Sequence, residues 1–313
     1  MTKIKSILTI LLLTVLLWQA VGSQAWCAGK DDGSLVSGKL IAQRDRVRVE
    51  LITYMSDGLR VKGFLFVPVD AHENQQKLPC VIFCHDGISG VTREHRLSSI
   101  RLANSGFVVF SPSYRGEDGS QGEIEIAKGE VRDVLNAMTL MEKHENVDGP
   151  RMALTGASHG ALIAVLAASR TDRVKALVSA YGVMDIYKWW DYLKENNMIG
   201  KDKYTRQTYG KGPQDRPVSF AIRNAVSFVE NIKCPVLILQ GEKDKIVPPQ
   251  QARYLKESLD KHKIPARLEL FPDALHGFLI YVPYIKDDVE EAEREQTRKA
   301  WEIMIKFLKD NLE

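Results

Sequence analysis

One pentapeptide, Gly-Ala-Ser-His-Gly at Gly156–Gly160, constrains the fold of this chain more than any other feature. The apolar run Met152–Leu154 precedes it and the apolar run Ala161–Ala168 follows it. These lengths predict a buried strand and then a buried helix. Glycines at both ends of the pentapeptide permit a sharp turn, which leaves the serine on a strained, exposed corner. Ser158 is therefore the candidate nucleophile, with a plain turn residue as the alternative.

Two later strands are each followed by a side chain that a serine nucleophile requires. The apolar run Val236–Gly241 precedes Asp244, and the alternating segment Arg267–Phe271 precedes His276. In α/β-hydrolases the acid and then the histidine follow the serine in the chain. We predict that Ser158 attacks a carbonyl and that His276 takes its proton and later protonates the leaving group. Asp244 then fixes the imidazole tautomer and stabilises its cation.

The same segments contain competing residues. Glu242 and Asp273 stay as alternatives for the acid. Among the seven histidines, His85 precedes the serine and His159 adjoins it, so chain order argues against both as the base. His276 is the predicted base, because the other four lie in polar segments that we expect to be exposed: His72, His95, His144 and His262.

An oxyanion hole requires backbone N–H donors aimed at the oxygen that becomes negative. The N–H of His159, directly after the serine, is one expected donor. The other is expected from the loop after the predicted strand Cys80–Cys84, where Asp86 or Gly87 is the candidate, since glycine lets the backbone approach closely. We expect His85 to brace this loop, with direct substrate contact as the alternative.

The composition indicates an ordinary globular enzyme. The chain has 313 residues, 44% of them apolar, and a formal net charge of +3, so one large α/β core is feasible. Lys and Arg are scattered, which argues against a nucleic-acid partner. No CxxC motif or Cys/His cluster has metal-ligand spacing. We expect no metal or cofactor, a small molecule or short peptide as substrate, and leave an oligomer open.

The first 25 residues have the pattern of a cleavable signal peptide. Lys3 and Lys5 precede the apolar run Ile7–Trp18, and small residues suited to cleavage follow. The run is shorter than the about 20 residues of a membrane span, so no stable span is expected, although an uncleaved anchor is an alternative. We predict a periplasmic or secreted protein, with a signal peptide at residues 1–25 and a loose polar lead at residues 26–45.

Four cysteines in an exported chain raise the question of disulfides. Cys80 and Cys84 lie about 13 Å apart on one predicted strand, too far to pair with each other. A bridge from Cys234 to either stays open, although buried free thiols are the expectation for all three. Lipidation at Cys27 is disfavoured because bulky Trp26 precedes it.

Strands and helices alternate through the predicted catalytic domain, residues 46–313. Arg46–Tyr54 and Leu59–Val67 predict an antiparallel hairpin. Residues 181–233 interrupt the alternation and are rich in aromatic and charged residues, which predicts a small helical lid; a surface excursion that packs its own aromatic side chains is the alternative. Further strands are predicted at Cys80–Cys84, Phe107–Ser111, Met152–Thr155 and Val174–Ala180, and helices at Thr92–Asn104, Ile126–Lys143, Pro248–Lys261 and Asp288–Leu312. The alternation predicts an α/β-hydrolase fold, with a mostly parallel central sheet and helices on both faces.

Several short motifs follow one another along the chain in a recognisable order: Tyr54–Leu59, Cys84–Gly87, Tyr114–Gly116, Val147–Asp148, Gly156–Gly160, Gly241–Asp244 and His276–Phe278. With these motifs, the chain from about residue 46 to its C-terminus resembles the catalytic domain of the prolyl oligopeptidase family of serine peptidases, which includes dipeptidyl- and acylaminoacyl-peptidases. The resemblance implies the same triad, Ser158, Asp244 and His276. It also implies an acyl pocket formed by Tyr181, Val183, Trp189 and Val247.

The chain also departs from that family's pattern. Members usually carry a β-propeller ahead of this domain, and we expect none here. The loop His85–Ile88 reads His-Asp-Gly-Ile where His-Gly-Gly-Pro is common, and Ala161 stands where a second glycine often follows the elbow. The loop is also similar to that of dienelactone hydrolases, whose nucleophile is cysteine; Ser158 argues against that chemistry.

Three functions follow as hypotheses. The first is a secreted serine peptidase that cleaves short peptides, which the family resemblance favours. The second is a carboxylesterase acting on small acyl esters, because both reactions pass through an acyl-enzyme and use the same residues. The third is a non-catalytic binding protein that kept the fold, which the intact order of Ser158, Asp244 and His276 disfavours.

Overall fold

The core of the fold is a mixed β-sheet, seen in a computed structural model that describes residues 31–200, 203–285, 287 and 289–312. Its strands are β1 (Leu35–Arg44), β2 (Val47–Ser56), β3 (Leu59–Pro68), β4 (Leu78–Cys84), β5 (Val108–Pro112), β6 (Val147–Ala157), β7 (Val174–Ala180), β8 (Val236–Gly241) and β9 (Ala266–Phe271). In these ranges they form one sheet in the order β1-β2-β3-β5-β4-β6-β7-β8-β9. Strands β4 to β9 run parallel, and β1 to β3 join antiparallel at one edge.

Helices cover both faces of this sheet, as predicted. The helices are α1 (Val69–Glu73), α2 (Arg93–Asn104), α3 (Gly129–Met141), α4 (His159–Ala168), α5 (Ile186–Glu195), α6 (Lys203–Tyr209), α7 (Pro217–Ala221), α8 (Gln250–Lys261), α9 (Phe278–Tyr281) and α10 (Glu291–Leu312). Three 3₁₀ turns lie at Ala225–Ser227, Val229–Asn231 and Val282–Tyr284. One apolar cluster packs α3, α4 and α8 against the sheet, and a second packs α2 and α10 against it.

The parallel strands bring the predicted site loops to one edge of the sheet. Strands β4, β7 and β8 are buried over nearly their whole length, as expected for strands covered on both faces. The pairing places Cys84 beside Gly156, Ala157 beside Ala180, and Gly241 beside Phe271. The loops that follow β4, β6, β7, β8 and β9 therefore emerge at the same edge, which is called the catalytic edge below.

The N-terminal lead departs from its prediction. Residues 26–45 were expected to be loose, but Leu35–Arg44 forms β1 and pairs antiparallel with β2. All ten residues of β1 are exposed. A strand with no buried face has no alternation of apolar and polar residues, so its sequence lacks the usual strand signal. The expectation of a loose lead is therefore wrong over this range.

Several element boundaries also differ from the sequence reading. Helix α3 begins at Gly129 and not at residue 126, because Ile126 and Ala127 have positive φ angles of 56° and 53° that a helix does not accommodate. Thr92 is the N-cap of α2, accepting from the N–H of His95. The short helices α1 and α9 were not predicted, since four or five residues show no period.

Residues 181–233 contain helices α5 to α7, as the lid prediction requires, and they also pack their own aromatic side chains. Their small apolar core contains Ile186, Trp190, Leu193, Tyr209 and Phe220. The Tyr192 hydroxyl donates to the Lys245 carbonyl at 2.7 Å, so helix α5 contacts the loop after β8. The packed aromatic core is what the alternative interpretation describes, and residues 181–233 are called the lid below as a name for the segment.

The compact unit to which these elements belong begins at Asp31. The predicted signal peptide at residues 1–25 and the position Cys27 lie outside the described residues. Within the described ranges, no helix is long and apolar enough to cross a membrane. Cys80, Cys84 and Cys234 are free and buried, and burial raises the pKa of each thiol, which confirms the prediction of buried thiols.

Candidate active site

Ser158 lies at the turn between β6 and α4 with a strained backbone. Its φ is 50° and its ψ is −116°, outside the regions that a serine favours. Its N–H donates to the Ala180 carbonyl at 2.8 Å, which ties the turn to β7. A Cβ at Gly156 would collide with the Gly160 carbonyl, and one at Gly160 with the carbonyls of Cys84 and His85. The two glycines therefore let β6, α4 and the loop after β4 meet at the serine.

The structure brings Ser158, His276 and Asp244 into one chain of hydrogen bonds. Ser158 Oγ lies 3.0 Å from His276 Nε2, and His276 Nδ1 lies 2.8 Å from Asp244 Oδ2. An ionised carboxylate only accepts, so Nδ1 carries the proton and Nε2 is left to accept from the serine. This is the tautomer that a serine nucleophile needs in its base.

Asp244 is buried and held by backbone donors. Its Oδ1 accepts from the N–H groups of Ile246 and Val247, each at 2.9 Å, and its Oδ2 lies 3.3 Å from Gln240 Nε2. These contacts hold the carboxylate plane in place independently of its hydrogen bond to His276.

The two alternative acids are engaged elsewhere. Glu242 pairs with Arg253 at 3.4 Å, and Asp273 pairs with Lys243 at 2.9 Å. The hydrogen bond from Lys243, together with one from Gln296, lowers the pKa of Asp273. Neither carboxylate is placed on the histidine.

His276 is held on a short, tightly turned segment. Gly277 follows it with φ 81°, a left-handed conformation that favours glycine, and helix α9 begins at the next residue. The ring of Tyr181 meets the imidazole edge-on, with centroids 5.0 Å apart. The side chain of His276 stays 21% exposed, so the imidazole is partly accessible from solvent.

The predicted oxyanion-hole residues lie beside the serine. In the described part of the chain, the backbone N–H groups of His159, Asp86 and Gly87 donate to no acceptor, which leaves all three available. His159 Nδ1 lies 3.0 Å from the Gly87 carbonyl, and His85 Nδ1 lies 2.8 Å from the Asp86 carbonyl. Gly87 has φ +66°. His85 thus braces the loop, as expected.

The sequence analysis missed two residues that contact this loop from other elements, His95 of α2 and Tyr281 of α9. The Asp86 carboxylate accepts from His95 Nε2 at 2.8 Å and from the Tyr281 hydroxyl at 2.6 Å. His95 was expected to be exposed, but it is buried, and this expectation is wrong because its ring turns inward from the first turn of α2. The sequence did contain one signal for these contacts. A carboxylate buried in the predicted oxyanion loop must accept hydrogen bonds from nearby side chains, and Asp86 is such a residue.

The four residues assigned to the acyl pocket by resemblance fall into two pairs. Tyr181 contacts the ring of His276, and Val247 donates its N–H to Asp244, so these two adjoin the triad. Val183 and Trp189 pack against the small apolar core of the lid, and the Trp189 ring lies 6.1 Å from that of Tyr209. The first pair belongs to the catalytic edge and the second to the lid.

Arg115 of the Tyr114–Gly116 motif links several parts of the fold through ion pairs. Arg115 contacts Asp133 and Asp57, each at 2.8 Å, and Asp133 accepts from the Ser56 hydroxyl at 2.6 Å. This network joins the β2–β3 turn to α3, and the ring of Tyr114 stacks on His85 with centroids 4.3 Å apart. Within the described residues, no group of three or more His, Cys, Asp or Glu side chains is placed to hold a metal ion.

Residues 61–312 match the dienelactone hydrolase family. The chain belongs to this family. It is 31% identical to the "Uncharacterized peptidase YtmA" of Bacillus subtilis over 235 residues, which is 74% of this chain and 87% of that protein. The family assignment brings no cysteine nucleophile with it, since position 158 is serine.

More distant similarities point to larger peptidases. The chain is 26% identical to the mouse acylamino-acid-releasing enzyme over 70% of its length, and it spans about a third (31%) of that enzyme. The acylaminoacyl peptidase of Pyrococcus horikoshii superposes with a TM-score of 0.69 at 18% identity, over 86% of this chain and 42% of that chain. These matches confirm the predicted resemblance to the catalytic domains of such peptidases, and the superposition confirms the α/β-hydrolase fold.

Proposed function

We propose that the protein hydrolyses the amide bonds of short peptides through an acyl-enzyme, with Ser158, His276 and Asp244 as its catalytic triad. The observation that carries this proposal is the continuous chain from Ser158 Oγ through His276 to the buried Asp244, with separations of 3.0 and 2.8 Å. The relatives named as a peptidase and as an acylamino-acid-releasing enzyme support amide substrates.

In this proposal the first half-reaction transfers the acyl group to the serine. His276 Nε2 takes the proton as Ser158 Oγ attacks the substrate carbonyl, and Asp244 stabilises the imidazolium through Nδ1–H. The negative oxygen accepts from the N–H of His159 and from that of Asp86 or Gly87. The imidazolium then gives its proton to the leaving amine, which departs as the tetrahedral intermediate collapses.

The second half-reaction repeats the geometry with water. His276 takes a proton from a water molecule that attacks the acyl-enzyme, and the same N–H groups stabilise the new oxyanion. Collapse releases the acid and returns the proton to Ser158.

A carboxylesterase acting on small acyl esters is the second candidate. The observation in its favour is the family match itself, because a dienelactone is a cyclic ester. An alkoxide or phenolate also needs less help from His276 as a general acid than an amine does. The catalytic groups are shared, so the leaving group is what separates the two candidates.

Matched substrates decide between them. The purified protein is assayed on p-nitrophenyl esters and peptidyl p-nitroanilides with the same acyl part. Cleavage of the anilides that is lost in Ser158→Ala supports the peptidase, even where the more reactive esters are cleaved faster. Ester cleavage without measurable anilide cleavage replaces it with the esterase, and no turnover of either contradicts both.

The nucleophile is tested in the same assays. Ser158→Ala is expected to lose a factor of about 10⁴ or more in kcat. Ser169→Ala is a matched control at the far end of α4, where the hydroxyl only caps the Leu166 carbonyl at 2.9 Å. Equal loss in both variants would point to a folding defect and remove the assignment of Ser158.

We further propose export to the periplasm or the cell exterior, which the signal-peptide pattern at residues 1–25 supports. N-terminal sequencing of the protein recovered from a periplasmic fraction tests this. A start near residue 26 is the expected result, and a start at Met1 in the cytoplasmic fraction would contradict it.

A further inference from the structure

Asp86 is an unusual residue for its position. It contributes one of the candidate oxyanion N–H groups, yet it carries a carboxylate that is 6% exposed and lies next to the place where negative charge develops. Burial opposes its ionisation, but the hydrogen bonds from His95 and Tyr281 outweigh it and lower the pKa of Asp86. The Asp86 carboxylate is therefore ionised and accepts a hydrogen bond from each of these two donors.

The first donor, His95, has a fixed tautomer. The Thr92 N–H donates to His95 Nδ1 at 3.0 Å, so the ring proton lies on Nε2 and points to Asp86 Oδ1 at 2.8 Å. Thr92 and His95 also form the N-terminal capping box of α2. The N-terminus of this helix thus anchors Asp86 from one side.

The second donor, Tyr281, comes from the histidine loop. It ends the short helix that begins directly after Gly277, and its N–H donates to the Gly277 carbonyl at 3.0 Å. Its ring packs so closely on Gly277 that a Cβ there would lie 2.7 Å from Tyr281 Cδ2. Its hydroxyl reaches Asp86 Oδ1 at 2.6 Å. The segment that carries His276 is therefore bonded to the oxyanion loop.

Neighbouring peptide groups of this loop are fixed in the same way. His85 binds the Asp86 carbonyl and His159 binds the Gly87 carbonyl, so these side chains set the orientation of two successive peptide planes. A backbone N–H in an oxyanion hole is effective only when it points at the developing charge, and one such donor is worth on the order of 10²–10³ in rate. The Asp86 N–H belongs to the preceding peptide, and the bonds that hold residue 86 beside that peptide are those of its side chain to His95 and Tyr281.

We propose that Tyr281 and His95 are positioning residues, which hold the Asp86 peptide in the oxyanion hole and couple it to the catalytic histidine loop. This inference rests on the proposed serine-hydrolase function. In this proposal Asp86 contributes its backbone N–H to the oxyanion hole. Its carboxylate accepts hydrogen bonds from α2 and α9, and these bonds hold that N–H in place.

The test uses Tyr281→Phe, which removes only the hydroxyl. On a p-nitrophenyl ester we expect kcat to fall on the order of tenfold with KM little changed, because the loosened donor acts mainly in the transition state. The rate at which a fluorophosphonate probe labels Ser158 should fall by a similar factor, since phosphonylation also places charge on an oxygen in the hole. Tyr284→Phe, three residues along, is the matched control and should match the wild type in both assays.

Two further variants separate the hydrogen bonds of the Asp86 side chain from its charge. Asp86→Gly keeps the backbone N–H but removes the carboxylate, and is expected to lose at least as much kcat as Tyr281→Phe. Asp86→Asn keeps an acceptor oxygen for His95 and Tyr281, and is expected to lose less than Asp86→Gly. Equal losses in the two Asp86 variants would assign the effect to charge and overturn the proposal.

The outcomes distinguish this inference from the proposed function. Unlabelled Ser158 in the wild-type protein would remove the serine-hydrolase proposal and the inference with it. Labelling of Tyr281→Phe at the wild-type rate would overturn the positioning role alone. A lower melting temperature of Tyr281→Phe, accompanied by a rise in KM and no fall in kcat, would indicate a merely structural contact and would also overturn it.

Discussion

The catalytic edge and the lid are built differently. At the edge, each candidate catalytic side chain follows a buried parallel strand, and Asp244 is held by two backbone N–H groups. In the lid, short helices pack around five buried apolar residues, and Val218 is 64% exposed. The edge is therefore fixed by the main core of the protein, whereas the lid depends on a small core of its own.

The difference teaches which property each region can control. The helices of the lid contact the rest of the chain through the Tyr192 hydroxyl on the Lys245 carbonyl and through hydrogen bonds from Arg223 to the carbonyls of Glu125 and Ile126. The two ends of the segment pack into the main core, for example through Met184 and Val229. Changes at the edge should therefore act on kcat, because they move reacting groups. Changes in the lid should act on KM, because they move what surrounds the substrate.

The largest expected effect comes from Asp244→Asn at the edge. An asparagine amide can donate to His276 Nδ1, which places the ring proton on Nε2 and leaves no acceptor for the serine. We expect kcat to fall on the order of 10⁴-fold with the fold intact. Steady-state kinetics on a p-nitrophenyl ester, with circular dichroism to check folding, measures this.

Glu242→Gln is the matched control for that variant, since Glu242 is a carboxylate on the same turn that pairs with Arg253. Its activity should be close to the wild type. A comparable loss in Glu242→Gln would mean that the turn as a whole, and not the Asp244 carboxylate, supports the histidine.

Gly160→Ala tests whether the edge is as rigid as its contacts imply. The added Cβ would collide with the backbone carbonyls of Cys84 and His85, which cannot move without disturbing β4. We expect a loss of about 3 kcal/mol in the free energy of unfolding, measured by urea denaturation. In Gly149→Ala the added Cβ meets the Glu142 carbonyl at 3.4 Å, and the change should be below about 1 kcal/mol. Equal urea midpoints for the two variants would show that the backbone at the edge can move to accommodate the added methyl group.

The sequence was sufficient for the part of the site that follows buried strands. Ser158, Asp244 and His276 each stand after an apolar run, and the parallel sheet brings the ends of those runs together. Asp86 and Gly87 could be predicted for the same reason. Chain order argued against His85 and His159 as the base, and the polar surroundings of the other four histidines left His276.

The rest depends on contacts that have no local signal. Tyr281 and Asp86 are 195 residues apart, and neither position has a pattern that names the other. His95 stands in a polar segment, so its burial follows only from the way α2 packs on the sheet. Strand β1 was missed because it has no buried face. Sequence patterns report burial along one element, and these features arise between elements.

Trp190→Ala tests the independence of the lid. The Trp190 ring packs edge-on to Phe220 with centroids 5.5 Å apart and is nearly buried, so its removal should cost the lid about 3–5 kcal/mol. We expect KM for peptidyl anilides to rise about tenfold, equivalent to about 1.4 kcal/mol, with kcat for a small acetate ester within about twofold of the wild type. Val218→Ala, an exposed position on the same lid, should change neither. A fall in ester kcat would break the distinction between the two regions.

The smallest expected effect is a loss of stability at acid pH. We expect it at the catalytic edge, because residues 181–233 contain no histidine. Burial lowers the pKa of His159 below its ordinary value near 6.5. The unfolded chain therefore binds this proton first, so the stability from neutral His159 is complete above about pH 6.5 and declines as the pH falls below it. Between pH 8 and pH 5, the melting temperature of His159→Gln should fall less steeply than that of the wild type. Hydrogen exchange at low pH should increase at residues 85–87 before it increases in the lid. The same pH dependence of the melting temperature in both proteins would show that His159 is not the responsible group. Earlier exchange in the lid would show that the edge is not the pH-sensitive region.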